Sequence, residues 1–180
     1  DYDLPGFWEG KTGGQRWKYF RNNNFSHNVI NIDHSLQYAN GHAFVCEEHP
    51  EAKQPSVKLN LCEVYKEKAK SAYRKFTLLN NYTIEVEDEV NLLDAGSKVS
   101  WVAGTKANVE VNGNKAHFMR NGKHFYMQII APAGAVFKTD PAKNTYKGEK
   151  TIEGITMLEA ECSFKETDGK VTIQMSSKKF

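Results

Sequence analysis

The feature that most restricts the fold of this chain is a series of short stretches of alternating apolar and polar residues, which begins near Asn28 and continues almost to the C-terminus. Turn dipeptides separate these stretches, for example Asn112-Gly113 and Asn121-Gly122. Asn-Gly favours the tight turns of β-hairpins because both residues tolerate a positive φ. Strands that recur roughly every 8 to 12 residues, with turn signals between them, are typical of antiparallel sandwiches. The sequence therefore predicts an all-β fold, an antiparallel β-sandwich of many short strands joined by hairpins.

The alternation also predicts where the individual strands lie. We expect strands at 28–33, 42–46, 76–79, 82–90, 99–103, 109–111, 116–119, 124–130, 136–137, 155–158, 160–164 and 171–175. In the first of these, Asn31 is expected on the face opposite Ile30. A solvated connection is expected at 47–51, and Asp168-Gly169 is expected to form the last hairpin turn. Residues 57–75 fit either one helix or a strand, a turn and a second strand.

The stretch from Tyr82 to Val90 carries acidic residues at alternate positions. Because side chains of a strand alternate between two faces, Glu85, Glu87 and Glu89 share one face, opposite the apolar residues. A strand face turned toward water explains this pattern better than a metal site does.

The length and net charge of the chain limit the number of domains and the kinds of partner. At 180 residues the chain predicts one β-sandwich domain over 1–180, with an irregular leading segment at 1–26 that is rich in Gly and Asn. The net charge of +2 does not favour a general nucleic-acid binder, so no nucleic acid is expected as a partner. No apolar run approaches the roughly 18 residues that span a bilayer, so no membrane partner is expected. The first residues lack the basic and apolar regions of a signal peptide.

Cysteines and most histidines give no strong chemical signal. The three cysteines, Cys46, Cys62 and Cys162, have no C-x-x-C spacing, and we expect buried thiols rather than a disulfide or a metal site. His117 and His124 are expected to be hydrogen-bonded residues of half-buried strands, because His commonly has intermediate burial. The other histidines of this group (His34, His42 and His49) are expected at the surface.

The segment from Gln15 to Asp33 is the strongest candidate for a functional site. It combines two arginines, several aromatic residues, an Asn triplet and His27 immediately before a strand. A polar loop that leads into a rigid sheet is a common place for a binding site. Arginine can bind a carboxylate or sulfate, and an aromatic ring can stack on a sugar. The alternative is structural, with Trp17 and Phe20 packing the loop onto the sandwich.

The stretch RWKYFRNNNFSHNVINID at 16–33 resembles a segment of heparinase II/III-type polysaccharide lyases, in which Arg-Trp, Phe-Arg and Asn precede a His-Asn pair and a strand. The resemblance implies that this chain is the C-terminal β-sandwich part of a larger lyase, which cleaves uronic-acid-containing polysaccharide by β-elimination. It favours the strand, turn and strand alternative for 57–75. In that family most catalytic groups lie in an N-terminal α/α-toroid, so the resemblance implies no catalytic residue in this chain and no activity of the chain alone.

The same resemblance implies site residues. His27, in the His27-Asn28 pair, matches one of three zinc ligands, and the other two lie upstream of the matched block, so a Zn²⁺ site would be incomplete in this chain. Without the resemblance, the residues favour a histidine that caps its own loop over a metal ligand. Asp1-Tyr2 resembles the end of the upstream ligand region. We expect Tyr2 and Arg21 to be candidates for substrate binding.

Partners and location are implied by the resemblance alone. The expected partners are an acidic polysaccharide, such as a glycosaminoglycan or an alginate-like polymer, and the missing α/α-toroid domain. The expected location is periplasmic or secreted, in a bacterium. The residues leave a second hypothesis open, a non-catalytic carbohydrate-binding or interaction β-sandwich.

Overall fold

The computed structural model describes residues 2–180 and contains two antiparallel β-sheets. Its strands are β1 (Ile30–Ile32), β2 (Phe44–His49), β3 (Ser56–Asn60), β4 (Ala69–Asn80), β5 (Thr83–Leu92), β6 (Lys98–Thr105), β7 (Asn108–Asn112), β8 (Lys115–Arg120), β9 (Lys123–Ala131), β10 (Phe137–Pro141), β11 (Thr156–Ser163) and β12 (Asp168–Ser176). The smaller sheet has the order β1-β6-β11-β10, and the larger has the order β2-β3-β4-β5-β12-β9-β8-β7. The predicted all-β antiparallel fold is confirmed.

One hydrophobic core lies between the two sheets. The smaller sheet contributes Trp101 and Leu158, and the larger contributes Leu92 and Ile173, all of them buried. Along β11 the core residues Leu158, Ala160 and Cys162 occupy every second position, as the pleat of a strand requires. Each large apolar side chain that leaves water stabilises the fold by about 1.5 to 3 kcal/mol.

The predicted hairpin between 76–79 and 82–90 is confirmed by the antiparallel pairing of β4 with β5. Residues 57–75 form a strand, a turn and a strand, and only a short turn separates β3 from β4, where the Tyr65 N–H donates to the Leu61 carbonyl over 3.2 Å. At Asn121-Gly122 both residues have positive φ, 51° and 71°, as the predicted turn between β8 and β9 needs.

The prediction of a hairpin turn at Asp168-Gly169 is wrong. Both residues lie in β12, where Asp168 is paired with Asn91 of β5. The preceding strand, β11, belongs to the smaller sheet, so the chain crosses between sheets before this point. Gly169 is required for packing: a Cβ there would lie 2.4 Å from a ring carbon of Phe164, which is closer than real Cβ atoms approach.

The burial of the first strand and the bounds of the second go beyond what the alternation predicts. Ile30, Asn31 and Ile32 are all buried, because the leading segment covers the outer face of the smaller sheet and Asn24 hydrogen-bonds Asn31 there. The second strand runs from Phe44 to His49 and includes residues expected to form a connection. Alternation alone does not show which outer face is covered.

The acidic face of β5 is confirmed, with ion pairs that the sequence did not show. Glu87 accepts from Lys170 over 2.7 Å, and Glu89 accepts from Lys58 over 3.2 Å. These carboxylates are half-buried in the outer face of the larger sheet. Asp88, on the opposite face, is buried in the core.

The cysteines differ from one another in burial. Cys162 is buried, and burial raises the pKa of its thiol to about 11. Cys62 is half-buried and Cys46 is exposed on β2, so the expectation of a buried thiol is wrong for Cys46. All three are free thiols within the part of the chain that the structure describes.

The leading segment contains two short 3-10 helices, Gln15–Lys18 and Asn24–Ser26. It is fixed to a long loop between β10 and β11. The Phe20 N–H donates to Glu149 Oε1 over 2.8 Å, and the Thr145 hydroxyl donates to the Lys18 carbonyl over 2.7 Å. Among residues 2–180, no helix has the length and apolar character of a membrane-spanning segment.

Candidate functional site

A pocket of about 300 Å³ lies beside His27, where the leading segment enters β1. Its walls include Trp17, Asn22 and Asn24 from the leading segment and Gln37, Tyr38 and Val64 from two loops of the sandwich. We call it the His27 pocket. Aromatic rings, amide groups and one imidazole therefore converge on a concave surface, which is the usual composition of a small-molecule site.

The His27 imidazole is exposed at the end of the second 3-10 helix. Its backbone is extended, with φ −107° and ψ 161°, and its N–H donates to the Asn24 carbonyl over 3.2 Å. The helix is capped at its start by Asn23, whose Oδ1 accepts from the Phe25 N–H over 3.0 Å. The His27 side chain makes no hydrogen bond with the other described residues, so its ring does not cap its own loop.

The side chain of Asn24 links three segments that surround the pocket. This buried amide donates through Nδ2 to the side chain of Asn31 and, over 3.0 Å, to the Ser35 carbonyl. Its Oδ1 accepts from the Gln37 N–H over 3.1 Å. One side chain therefore joins the leading segment, β1 and the loop that forms the opposite wall.

The backbone that follows His27 is braced by buried polar groups of the larger sheet. Arg74 Nη1 donates to the Asn28 carbonyl over 2.8 Å, and the Tyr65 hydroxyl donates to the Ile30 carbonyl over 2.8 Å. Gln37 Nε2 donates to the Tyr65 oxygen over 2.7 Å. Burial raises the pKa of the Tyr65 hydroxyl, so this group stays a neutral donor across the physiological range.

A second set of bonds fixes the far end of β1. Asp33 accepts from the Lys98 N–H over 3.0 Å, from the Ser97 hydroxyl over 2.9 Å and from Lys68 Nζ over 3.4 Å. Desolvation raises the pKa of Asp33, but the hydrogen bonds from Lys98, Ser97 and Lys68 outweigh it, and the net pKa is lowered. His27 therefore lies immediately before a strand whose two ends are both held by hydrogen bonds.

The described residues do not form a zinc site by themselves. Protein zinc sites need three or four Cys, His or carboxylate ligands. No group of three such side chains that could hold a metal occurs within residues 2–180, and the other pocket walls around His27 carry amides and a phenol. The role of His27 as one ligand of an incomplete zinc site stays a prediction.

Tyr2 and Arg21 lie outside the His27 pocket. Tyr2 is 71% exposed and stacks on Trp8, with ring centroids 5.9 Å apart and planes at 16°. Arg21 is exposed, and its Nη2 donates to the Thr151 carbonyl over 3.1 Å, so it contacts the loop before β11. The substrate-binding roles of both residues stay predictions.

Phe20 is buried, which agrees with the alternative that it packs the loop onto the sandwich. Trp17 contacts both the leading segment and the pocket. Trp17 is half-buried and donates from Nε1 to the Lys11 carbonyl over 3.0 Å, yet it also forms a wall of the pocket. The Arg16 guanidinium lies 5.6 Å from the Trp17 ring and 5.2 Å from the Phe7 ring, so it joins this wall to the aromatic cluster around Tyr2.

Sequence reasoning missed several members of the site. Gln37 and Tyr38 follow β1 in a stretch that carries no motif, and their proximity to His27 is a tertiary contact. Asn22 was counted only as part of the Asn triplet. Its Nδ2 is buried without a hydrogen-bond partner among the described residues, so a ligand oxygen at the pocket could satisfy it. Trp8 lies outside the pocket and is 72% exposed. The turn dipeptide Pro5-Gly6 just before it could have indicated an exposed aromatic residue.

No protein-family model and no curated protein sequence matches this chain. Solved structures do match. A "Heparinase III-BT4657 gene product" aligns with a TM-score of 0.68 and 14% identity over 87% of this chain and 24% of that chain. Heparan sulfate lyase HepC from Pedobacter heparinus aligns with a TM-score of 0.71 and 11% identity over 87% of this chain and 25% of that chain. Another structure, titled heparinase III, aligns with a TM-score of 0.60 and 11% identity over 82% and 22%.

This chain has the fold of one region of heparinase III. The resemblance read from 16–33 is therefore confirmed at the level of the fold. The chain spans about a quarter of the length of the heparinase III and HepC chains it matches. Identities of 11% to 14% establish a fold and nothing more.

Proposed function

We propose that this chain is the β-sandwich part of a larger polysaccharide lyase, that it lines the substrate cleft of that enzyme, and that it contributes one zinc ligand, His27. The observation that carries the proposal is the His27 pocket: an exposed imidazole on a backbone anchored by a buried network, beside aromatic and amide walls on a fold shared with heparinase III. The reaction proposed for the whole enzyme is β-elimination of a uronic-acid-containing polysaccharide.

The walls of the pocket suit a sugar. Trp17 and Tyr38 offer aromatic rings that can pack against the apolar face of a pyranose ring. The amides of Asn22 and Gln37 offer donors and acceptors for hydroxyl groups. The unpaired Nδ2 of Asn22 gains most from such a bond, because a buried donor without a partner costs about 1 to 3 kcal/mol.

In the proposal, His27 completes a zinc site whose remaining ligands lie in another part of the longer protein. A zinc ion would there organise the polypeptide around the cleft. The contribution of this chain is positional: the bonds of Asn24 and the bond from Arg74 to the Asn28 carbonyl fix the backbone on both sides of His27, at the edge of the pocket. No step of the reaction is assigned to the metal.

The catalytic groups are placed elsewhere. β-Elimination needs a base for the C5 proton, an acid for the leaving oxygen and a group that neutralises the uronate carboxylate. Within residues 2–180, the walls of the His27 pocket hold no carboxylate, arginine or lysine beside the single imidazole. The missing groups are proposed to lie in the α/α-toroid domain, and the chain alone is expected to be inactive.

The test uses the chain itself. We expect no ultraviolet absorbance of unsaturated uronates when it is incubated with heparan sulfate, chondroitin sulfate or alginate. We expect calorimetry to show binding of a heparan sulfate hexasaccharide that Trp17→Ala weakens, because the pocket loses an aromatic wall. Steady turnover by the pure chain would overturn the placement of the catalytic groups, and unchanged binding by the Trp17→Ala variant would overturn the cleft-lining role.

A second function is favoured by one observation, the exposed stack of Tyr2 on Trp8. An aromatic platform of this kind is typical of a stand-alone carbohydrate-binding sandwich. Trp8→Ala is therefore the matched variant for Trp17→Ala. If Trp8→Ala abolishes saccharide binding and Trp17→Ala leaves it unchanged, the non-catalytic binding function replaces the cleft-lining one.

A further inference from the structure

A larger pocket, of about 400 Å³, lies at the other end of the larger sheet, on the outer face of β7, β8 and β9. Its lining includes Glu110, Lys115, His117, Tyr126, Lys179 and Phe180. We call it the His117 pocket. It shares no lining residue with the His27 pocket, and the proposed lyase function does not use it.

Two parallel rings, those of His117 and Tyr126, line the His117 pocket, and His124 extends them outside its lining. His117 and Tyr126 are direct partners across β8 and β9, and their rings stack with centroids 4.7 Å apart and planes at 6°. His124 lies nearly in the plane of His117, at 11°, and the two imidazoles share a hydrogen bond of 2.9 Å between His117 Nε2 and His124 Nδ1. The result is a flat plate of two imidazoles end to end, backed by a phenol. Strand pairing, ring stacking and the hydrogen bond together keep it from rotating.

Two lysine side chains, Lys115 and Lys179, lie at the rim of the pocket. Lys115 and Lys179 are exposed, and neither forms an ion pair within the part of the chain that the structure describes. The acidic lining residue, Glu110, is already engaged, because its Oε2 lies 3.5 Å from His117 Nδ1. Two uncommitted ammonium groups beside a flat ring surface suit a ligand that joins a ring with an apolar face to carboxylate or sulfate groups.

We propose that the His117 pocket is a second binding site for an acidic saccharide, separate from the His27 pocket. The rings receive one face of a sugar, Phe180 forms a side wall, and Lys115 and Lys179 bind its anionic groups. This inference depends on the proposed function in one respect, the class of ligand, which is an acidic saccharide. A single-stranded nucleic acid would also use rings and cations, but the net charge of +2 and the shared fold with a heparan sulfate lyase favour the saccharide.

The test uses a Trp17→Ala/Tyr38→Ala background, in which the His27 pocket is disabled and the remaining binding reports on the His117 pocket. In that background, the Lys115→Glu/Lys179→Glu change is expected to raise the Kd for a heparan sulfate hexasaccharide by about tenfold or more in calorimetry. The matched control is Lys53→Glu/Lys165→Glu, the same charge change at two exposed sites outside the pocket, which is expected to leave the Kd within about twofold. His117→Ala, checked for folding by its thermal transition, is expected to weaken binding as well.

The saccharide should also shift the NMR signals of the His117 and His124 ring protons. The proposal is overturned if these signals do not move, if the two charge-reversal variants behave alike, or if maltohexaose or oligothymidine binds as tightly as the hexasaccharide. Failure of the His117 site leaves the proposed function standing when Trp17→Ala alone still weakens binding in the unaltered chain. If none of the variants changes the Kd, both the His117 site and the proposed function are overturned.

Discussion

The Arg74 guanidinium and the Asp88 carboxylate meet in two parallel hydrogen bonds inside the sandwich, Nε to Oδ1 over 2.7 Å and Nη2 to Oδ2 over 2.8 Å. The third nitrogen of Arg74, Nη1, donates to the Asn28 carbonyl beside His27. Arg74 lies on β4 and Asp88 on the adjacent β5, directly opposite each other in the pairing register. Burial raises the pKa of Asp88, and the Arg74 guanidinium opposes that rise without cancelling it. The two parallel hydrogen bonds are the geometry of a guanidinium and a carboxylate, so we assign the pair as ionised. A buried ion pair therefore fixes the backbone next to the candidate ligand.

Asp88→Ala is expected to destabilise the fold by about 3 to 5 kcal/mol, because it leaves the Arg74 charge buried without its partner. Urea unfolding followed by tryptophan fluorescence measures the loss. The control is Glu89→Ala on the opposite face of the same strand, where the pair with Lys58 is half-exposed and the expected loss is about 1 kcal/mol or less. Equal losses for the two variants would show that Arg74 finds another partner.

Asp33 gives a pH-dependent prediction. Its pKa is lowered in the folded state, so the stability it contributes is present above the ordinary Asp pKa of about 3.9 and is lost as the pH falls through the folded value. Asp33→Asn keeps a residue that tolerates the observed φ of 51°. We expect wild type to exceed this variant by about 1 kcal/mol at pH 7, since the site is partly exposed, and the difference to vanish in acid. Thermal unfolding from pH 7 to pH 2.5 measures it, and a difference that grows in acid would contradict the assignment.

The strands could be predicted from the sequence because alternation and turn chemistry are local properties. The positive φ values at Asn121 and Gly122 follow directly from an Asn-Gly dipeptide between two apolar stretches. Membership of a sheet is not local. Asp168-Gly169 has the composition of a turn, but it lies within a strand because the preceding β11 belongs to the other sheet.

The candidate site also combines a feature that is local in the sequence with contacts that are not. His27 could be singled out because it ends a polar loop and begins an apolar alternation. The Asn24 bond to the Gln37 backbone spans 13 positions, and the Arg74 bond to Asn28 spans 46. No periodicity within either segment encodes those contacts, so the pocket walls and the bracing network needed the fold.

Gly169 tests the corrected position of the last turn. Gly169→Ala places a Cβ against the Phe164 ring, and overpacking of this kind is expected to cost about 1 to 3 kcal/mol. Gly10→Ala is the matched control, because a Cβ at Gly10 meets nothing within 4 Å and its φ is not positive. Its effect is expected to stay within about 0.5 kcal/mol. Two equal changes in the thermal midpoint would mean that Phe164 moves aside without loss.

The zinc proposal makes a prediction for the chain alone. One imidazole without other metal ligands nearby binds Zn²⁺ weakly, so equimolar zinc is expected to shift the thermal midpoint by less than about 1 °C. Excess zinc is nevertheless expected to shift the NMR signals of the His27 ring, because that ring is exposed and unpaired among the described residues.

His27→Ala removes these signals and is expected to leave the thermal midpoint nearly unchanged, since the side chain makes no hydrogen bond within residues 2–180. His49→Ala, another exposed histidine, is the control for nonspecific zinc binding and is expected to leave the response of His27 intact. A large, saturable stabilisation by zinc that His27→Ala abolishes would mean that this chain itself supplies further ligands. A His27 ring that does not respond to excess zinc would remove it from the ligand set, and the pocket would then be explained by saccharide binding alone.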